Sequence, residues 1–351
     1  MLTDIRLLSH QLAKPRFKSP KELVAWMGAI QAQEYAMAKW AVGTRLKSSS
    51  LQAVDDALAK GEILRIHILR PTWHFVVAGD IRWMLQLSGA RIRTAFESYA
   101  RSHKIEITGS DYIRGCNLLE KLLGGNNSLT KQELKDGFCK AGMEVDNFLI
   151  SHFLIRAETD GLVCSGVDKN RKSTYALLEE RVPPVKELHR EEALARLATL
   201  YFQSHSPATL PDFIWWSGLT ATEARHAIAL IEGNLLEEKY DSETFYLHTS
   251  CDCKARCRKV LHLLPSYDEY LISYKDRTTV MQREHHPKAF NTFGIFYPVI
   301  QYNGRIVGNW KKDSKKKAPV VETSFFDEAS NIPEDLLKKA IDYYCSFHTK
   351  K

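Results

Sequence analysis

The chain has 351 residues, of which 44% are hydrophobic and 26% charged, a composition that excludes a disordered chain and suffices for two or three packed units. No run approaches the ~18 apolar residues that a membrane helix needs, and the start lacks a signal-peptide core, so a cytoplasmic protein without membrane partners is expected. The net charge of +7 is uneven: Lys and Arg outnumber Asp and Glu by 16 to 8 in residues 1–105 and by 16 to 11 in 258–351, but stand at 17 against 23 in 106–257.

Basic ends suit a polyanion, and nucleic acid is the commonest such partner inside a cell, although charge kept for solubility accounts for the same total. The Lys311, Lys312, Lys315, Lys316 and Lys317 cluster reads equally as a wet loop. In chain order, Ser19-Pro20 predicts a helix start, with Leu23, Met27 and Ile30 as its apolar stripe. On a helix continued through Gln33, the amides of Gln31 and Gln33 flank the buried face, about 80° to either side of its centre. Leu51 to Lys60 forms a further helix. Residues 63–77 then read as a hairpin about Arg70-Pro71, whose alternation puts Arg70, Thr72 and His74 on one side and Trp73 and Phe75 on the other.

Leu129 to Leu134 opens a helix, Phe148 to Asp160 forms a longer one, and residues 162–164 pair with 174–177 as a hairpin. Residues 179–187, with Pro183-Pro184, read as a linker. A helix carrying Phe213, Trp215 and Trp216 ends at Gly218. Thr220 with Glu223 writes a capping box for the next, and residues 235–236 and 245–247 supply two strands. The seven cysteines read as reduced thiols; Cys251, Cys253 and Cys257 lack zinc-site spacing, and no metal or cofactor is expected. Residues 264–277 combine acids, tyrosines and basic residues and read alone as a surface loop. Asn303-Gly304 marks a β-hairpin, and a helix from Pro333 to about Phe347 closes the chain.

Helices followed by a short hairpin recur three times, the order of a winged helix. The expected class is therefore α+β, three tandem winged-helix units followed by a β-rich C-terminal region. The units span 1–105, 106–182 and 188–250; the C-terminal region spans 258–351 with its terminal helix. Such units bind DNA or dock proteins, and fold does not decide between the two. The longer helices near 148–160 and 220–239 are rich in acids and suit a phosphate-lined groove poorly.

For chemistry, glutamine is a weak tool. Its amide orients a water and stabilises developing charge but accepts no proton near neutral pH, so it suits a leaving group that needs no acid. Two glutamines near a helix end equally read as solvated or capping groups, and a lone His74 equally reads as structural.

The segments AWMGAIQAQEYAMAKWAVGTRL, LRPTWHFV, LLPSYDEYLISYKDR and GRIVGNWK, in this order along nearly the whole chain, resemble the AlkZ-like winged-helix DNA glycosylases. The resemblance implies a C-shaped protein on double-stranded DNA with alkylated bases. It also implies catalysis by a Gln-x-Gln pair, here Gln31 and Gln33, where a related branch has Gln-x-Asp. Arg70, Thr72 and His74 are then expected to line the site. Lys275, Arg277, Arg305, Lys311 and Lys312 are expected to bind DNA. The family sets a β-hairpin against the duplex, for which Lys275 to Tyr297 and the Gly304 hairpin are both candidates. The implied reaction is a monofunctional, cofactor-free release of N7-alkylated purines by a monomer. A non-catalytic winged-helix regulator or damage binder is the rival reading.

Overall fold

The computed structural model describes the chain apart from residues 104, 106, 241, 255, 314–319, 328–331 and 350–351. Lys315, Lys316 and Lys317 of the lysine cluster therefore lie outside the described residues. The chain folds into two compact units, Met1–Asp55 together with Leu194–Lys351, and Asp56–Ala193. Among the described residues, no helix is long and apolar enough to cross a membrane.

In the first unit, the Pro20–Met27 helix begins where the Ser19 side chain accepts from the Glu22 backbone and Glu22 returns the bond to Ser19, with Pro20 preset for the first turn. It buries Leu23, Val24 and Met27. The helix expected to continue through Ile30 stops at Gly28, whose φ of +74° a side chain tolerates poorly. A Cβ there would also stand 3.2 Å from Leu200 Cβ. Ile30 and Gln31 are consequently extended, and the next helix is Tyr35–Gly43.

Farther along, Leu210–Ser217 is capped by Thr209 with Asp212 and stopped by left-handed Gly218, and Ala221–Ala229 by Thr220 with Glu223. Leu235–Tyr240 and Glu243–His248 then pair as an antiparallel hairpin. A four-stranded antiparallel sheet follows, in the order Val320–Phe325, Arg305–Asp313, Val299–Tyr302, Leu261–Leu264. Its central turn has Asn303 at φ +46° and Gly304 at +86°, the geometry that an Asn-Gly hairpin requires. The Glu334–Thr349 helix covers the Tyr35–Gly43 helix through Trp40, whose ring meets Tyr344 and Phe347 at 5.1 and 5.2 Å. The indole N–H groups of Trp40 and Trp310 donate to the Leu263 and Leu264 carbonyls.

In the second unit, Ile63–His67 and Trp73–Val77 pair antiparallel as expected, in the register Ile63 with Val77 through His67 with Trp73. The 22-residue helix Ile81–Ser102 was not anticipated; Gly89 lets it approach Asn147–Thr159 so closely that a Cβ would stand 2.7 Å from the Thr159 carbonyl oxygen. His67 Nδ1 and the Glu158 carboxylate, both buried, form a hydrogen bond between the hairpin and that second helix. A three-stranded sheet orders Leu129–Thr130, Thr174–Leu177 and Val163–Ser165. The expected linker begins instead with a helical turn, Leu178–Arg181, because Leu178 is buried and the Arg181 guanidinium donates to the carbonyls of Leu58 and Ala59.

Candidate active site

The end of the first capped helix at Gly28 decides how the two glutamines are presented. They do not flank a helical stripe. Gln31 is extended and 3% exposed, whereas Gln33 is exposed to solvent. The Gln31 backbone N–H donates to Glu269 Oε1 at 2.5 Å, and Gln31 Oε1 is buried without a hydrogen-bond partner among the described residues. An orphaned buried amide oxygen costs about 1–3 kcal/mol, a cost that a bound donor such as water relieves.

Beneath Gln31 lies a bed of buried polar side chains contributed by residues 264–277, which are not a surface loop. Asp268 caps the short helix Glu269–Ile272 and also binds Arg45 through two bonds, at 2.7 and 2.9 Å. With Asp268 fixed, Glu269 points inward: one oxygen takes the Gln31 N–H and the other accepts from the Ser273 hydroxyl one turn on. His205 Nε2 stands 3.7 Å from Glu269 Oε2. Burial lowers the His205 pKa, and the Glu269 carboxylate acts in the opposite sense. The Tyr274 hydroxyl donates to the His205 carbonyl and therefore accepts from His10 Nε2, both at 2.8 Å. Burial also holds His10 well below the ordinary histidine range, aided by His205 and the Arg45 and Arg6 charges.

Sequence reasoning missed Glu269, Ser273, His10 and His205. One usable signal was the i, i+4 spacing of Glu269 and Ser273 after the cap residue Asp268, which puts both on one helical face.

Arg70, Thr72 and His74 share one turn of the second unit, but not as one face of a strand. The strand begins only at Trp73, and residues 68–72 form a tight bend with Leu69 at φ +63°, Arg70 N–H to the Ile68 carbonyl and Thr72 N–H to the Arg70 carbonyl, each at 2.7 Å. Leucine in the left-handed region stores strain, which collects at functional turns. His74 is fully buried, and its Nδ1 donates to the Thr72 carbonyl at 3.1 Å, which fixes the tautomer.

The basic residues divide into two sorts. Arg305 and Lys312 are exposed on one strand, and Lys311 beside them pairs with Glu322 at 2.9 Å. Lys275 is exposed over the Trp215 ring at 4.9 Å. Arg277 is engaged: it donates to the carbonyls of Leu271 and Lys275 and lies over the Phe290 and Phe296 rings at 4.7 and 5.0 Å. Cys251, Cys253 and Cys257 face separate oxygens, of Ser9, Cys251 and Asp4 respectively.

The sequence profile of the AlkZ-like DNA glycosylases matches residues 24–346, which takes in Gln31 and Gln33, the 69–77 turn and strand, and the Asp268–Glu269 bed. The chain belongs to this family. Among relatives of the AlkZ-like chain, an interstrand DNA cross-link repair glycosylase of Streptomyces sahachiroi is 23% identical over 321 residues, 87% of this chain and 85% of that protein. The solved structure of the DNA glycosylase AlkZ from the same organism superposes with a TM-score of 0.79 at 18% identity, covering 99% of this chain and 95% of the other. The AlkZ-like fold, with its mixture of helices and sheets, thus extends over essentially the whole chain.

Proposed function

We propose that this AlkZ-like protein is a monofunctional DNA glycosylase that hydrolyses the N-glycosidic bond of N7-alkylated purines, acting as a monomer. The observation that carries the reading is Gln31: its backbone N–H is anchored by a buried carboxylate, and its buried side-chain amide has an oxygen that no described group satisfies. Gln33, two residues on and exposed, supplies the amide that meets the substrate. Alkylation at N7 makes the purine cationic, so it leaves as a neutral base without protonation. Water adds to C1′ as the C1′–N9 bond breaks, and its proton passes to solvent. The enzyme's work is then to orient that water and stabilise the oxocarbenium-like sugar, for which two amides suffice. The chemistry asks for neither a metal nor an amine nucleophile.

The helices and hairpins at 1–105, 106–182 and 188–250 are read as three winged-helix units that hold double-stranded DNA, ahead of the sheet and helix of 258–351. Arg70, Thr72 and His74 are assigned to lining the site, and Lys275, Arg305, Lys311 and Lys312 to the DNA-binding face, which Arg277 supports from within rather than through a phosphate contact. The relative named for interstrand cross-link repair supports extending the substrates to interstrand crosslinks. The test is a duplex carrying a single N7-methylguanine, assayed for abasic sites by alkaline strand cleavage. Wild type is expected to generate them and a Gln31→Ala, Gln33→Ala double variant to lose about 10²-fold or more in rate. Equal release by both proteins would overturn the mechanism, and no release by wild type from any alkylated or crosslinked duplex would favour a non-catalytic binder.

A further inference from the structure

The hairpin of Leu235–Tyr240 and Glu243–His248 is a two-stranded sheet, held along one edge and bare along the other. On the held edge, the Tyr246 N–H donates to the Ala208 carbonyl at 2.8 Å and the Ala208 N–H returns the bond at 3.2 Å. The His248 N–H donates to the Ser206 hydroxyl at 2.9 Å. Antiparallel partners alternate between pairs that bond each other and pairs that turn their groups outward. Tyr246 turns outward to Ala208, so its partner Glu237 turns outward as well, on the opposite edge. The same alternation sends the N–H and carbonyl groups of Leu235 and Lys239 outward with those of Glu237. Among the described residues nothing bonds them.

The side chains along this bare edge say what fits it. Leu236 and Tyr240 lie on the face that buries Phe245 and Leu247, yet they are 48% and 36% exposed. The small core beneath the hairpin, built with Ile5, stops short of the outer strand. Charge is the second feature. Residues 232–243 carry Glu232, Glu237, Glu238, Asp241 and Glu243 against Lys239 alone. Among the described residues no cation pairs with Glu237, Glu238 or Glu243. Such an edge repels a phosphate backbone. A second copy of the same strand would set Glu237 and Glu238 against like charges, which is unfavourable. Charged edges commonly keep strands from pairing at random. This one turns away acids and polyanions while leaving apolar side chains and backbone groups open to a strand of opposite charge.

We propose that the Leu235–Tyr240 edge is a docking site for an extended segment of another protein, rich in lysine or arginine, which adds to the hairpin as a third strand. Strand addition draws affinity from main-chain bonds, here to Leu235, Glu237 and Lys239, and selectivity from the side chains that alternate beside them. Apolar residues of the guest lie along Leu236 and Tyr240. Its cations, on the other face, meet Glu237, with Glu238 and Glu243 adding to the attraction. The inference stands apart from the glycosylase reading, since it uses no lesion and a different strand from that of Gln31. It gives the acid-rich stretch of the chain, which suits no polyanion, a partner of its own.

The experiment uses the full chain and a synthetic peptide with blocked ends, Lys-Ile-Lys-Val-Lys-Ile-Lys, with Glu-Ile-Glu-Val-Glu-Ile-Glu as its control. The lysine peptide should slow hydrogen exchange severalfold at the amides of Leu235, Glu237 and Lys239. Those of Leu236, Glu238 and Tyr240, already bonded within the hairpin, should change little. The glutamate peptide should bind about tenfold more weakly or worse. Glu237→Pro removes an outward N–H that the fold does not use, so it should melt with wild type and bind the lysine peptide about tenfold more weakly. Glu237→Lys combined with Glu238→Lys, both exposed, should exchange the preference between the two peptides, a readout that does not depend on how the proline variant folds. A lysine peptide that leaves the three outward amides unprotected, or that binds the charge-reversed variant as tightly as wild type, overturns the proposal. So does slowing of the same amides by undamaged duplex, which would make the hairpin a DNA contact, or by raised protein concentration alone, which would make a second copy the guest.

Discussion

Glu269 is fully buried and spends its two oxygens on the Gln31 N–H and the Ser273 hydroxyl. Closed off from solvent, it acts on the site through Gln31, so its expected role is positioning, and positioning has its own kinetic mark. Glu269→Ala removes the acceptor that fixes the Gln31 backbone, and the single-turnover rate on an N7-methylguanine duplex should fall about 10- to 100-fold while duplex affinity stays within about twofold. Glu269→Gln keeps an amide oxygen in the place of Oε1 and should recover most of the rate. An unchanged rate in Glu269→Ala removes the role, and a fall in affinity in step with the rate marks a folding defect instead. At this scale the sequence offered the identity of the two glutamines but not their setting. Nothing in AWMGAIQAQEY announces that the helix stops at Gly28, where a Cβ would stand 3.2 Å from Leu200 Cβ, 172 positions away, or that Gln31 is buried and Gln33 exposed. The Asn303-Gly304 turn, by contrast, was legible because its two positive φ angles are a local demand met by adjacent residues.

Helices with local start signals were readable for the same reason. Thr220 with Glu223 and Gly218 set their boundaries through bonds three or four residues long. What joins the elements was not readable, because it lies in single side chains. His262, on the Leu261–Leu264 strand, donates from Nε2 to the Leu12 carbonyl at 2.8 Å, and its Nδ1 meets the Thr44 hydroxyl at the end of the Tyr35–Gly43 helix at 3.3 Å. Three elements thus meet on one neutral imidazole, whose pKa burial pushes down to about 4. The unfolded chain takes up that proton near pH 6.5 and the folded chain does not. The contribution of His262 is therefore full above pH 6.5 and is lost as the pH falls toward 4, at about 1.4 kcal/mol per pH unit at most. His10 and His205, also lowered, act in the same direction. Urea midpoints measured from pH 7.5 down to 5 should decline, and the decline should be shallower in His262→Gln, which keeps the donor to Leu12 but cannot titrate. Parallel declines in the two proteins would remove His262 as a source of acid sensitivity.

Charge and connectivity come together at the scale of the molecule. The unit formed by Met1–Asp55 and Leu194–Lys351 holds 29 Lys and Arg against 23 Asp and Glu, and Asp56–Ala193 holds 20 against 19, so nearly all of the net positive charge resides in the unit that carries Gln31. A linear count showed basic ends; that both ends build one unit depends on pairings such as Arg45 with Asp268 and Trp40 with Tyr344, which no local pattern encodes. The same fold sorts cations that look alike in sequence. Lys312 is exposed on its strand, Lys311 shares its charge with Glu322, and Arg277 is committed to two backbone carbonyls and three aromatic rings. Affinity for undamaged duplex should fall steeply with salt. Lys312→Ala should lower the slope of log affinity against log salt by about 0.9, the share of one phosphate contact, without moving the melting temperature. Lys311→Ala should lower it by less, since Glu322 already offsets its charge. Arg277→Ala should do the opposite, lowering the melting temperature and leaving the slope nearly unchanged, because its guanidinium supports the Phe290–Phe296 loop from within. A slope that drops equally in all three variants would mean that Arg277 leaves those bonds to meet phosphate, and that the loop it supports is remade when DNA binds.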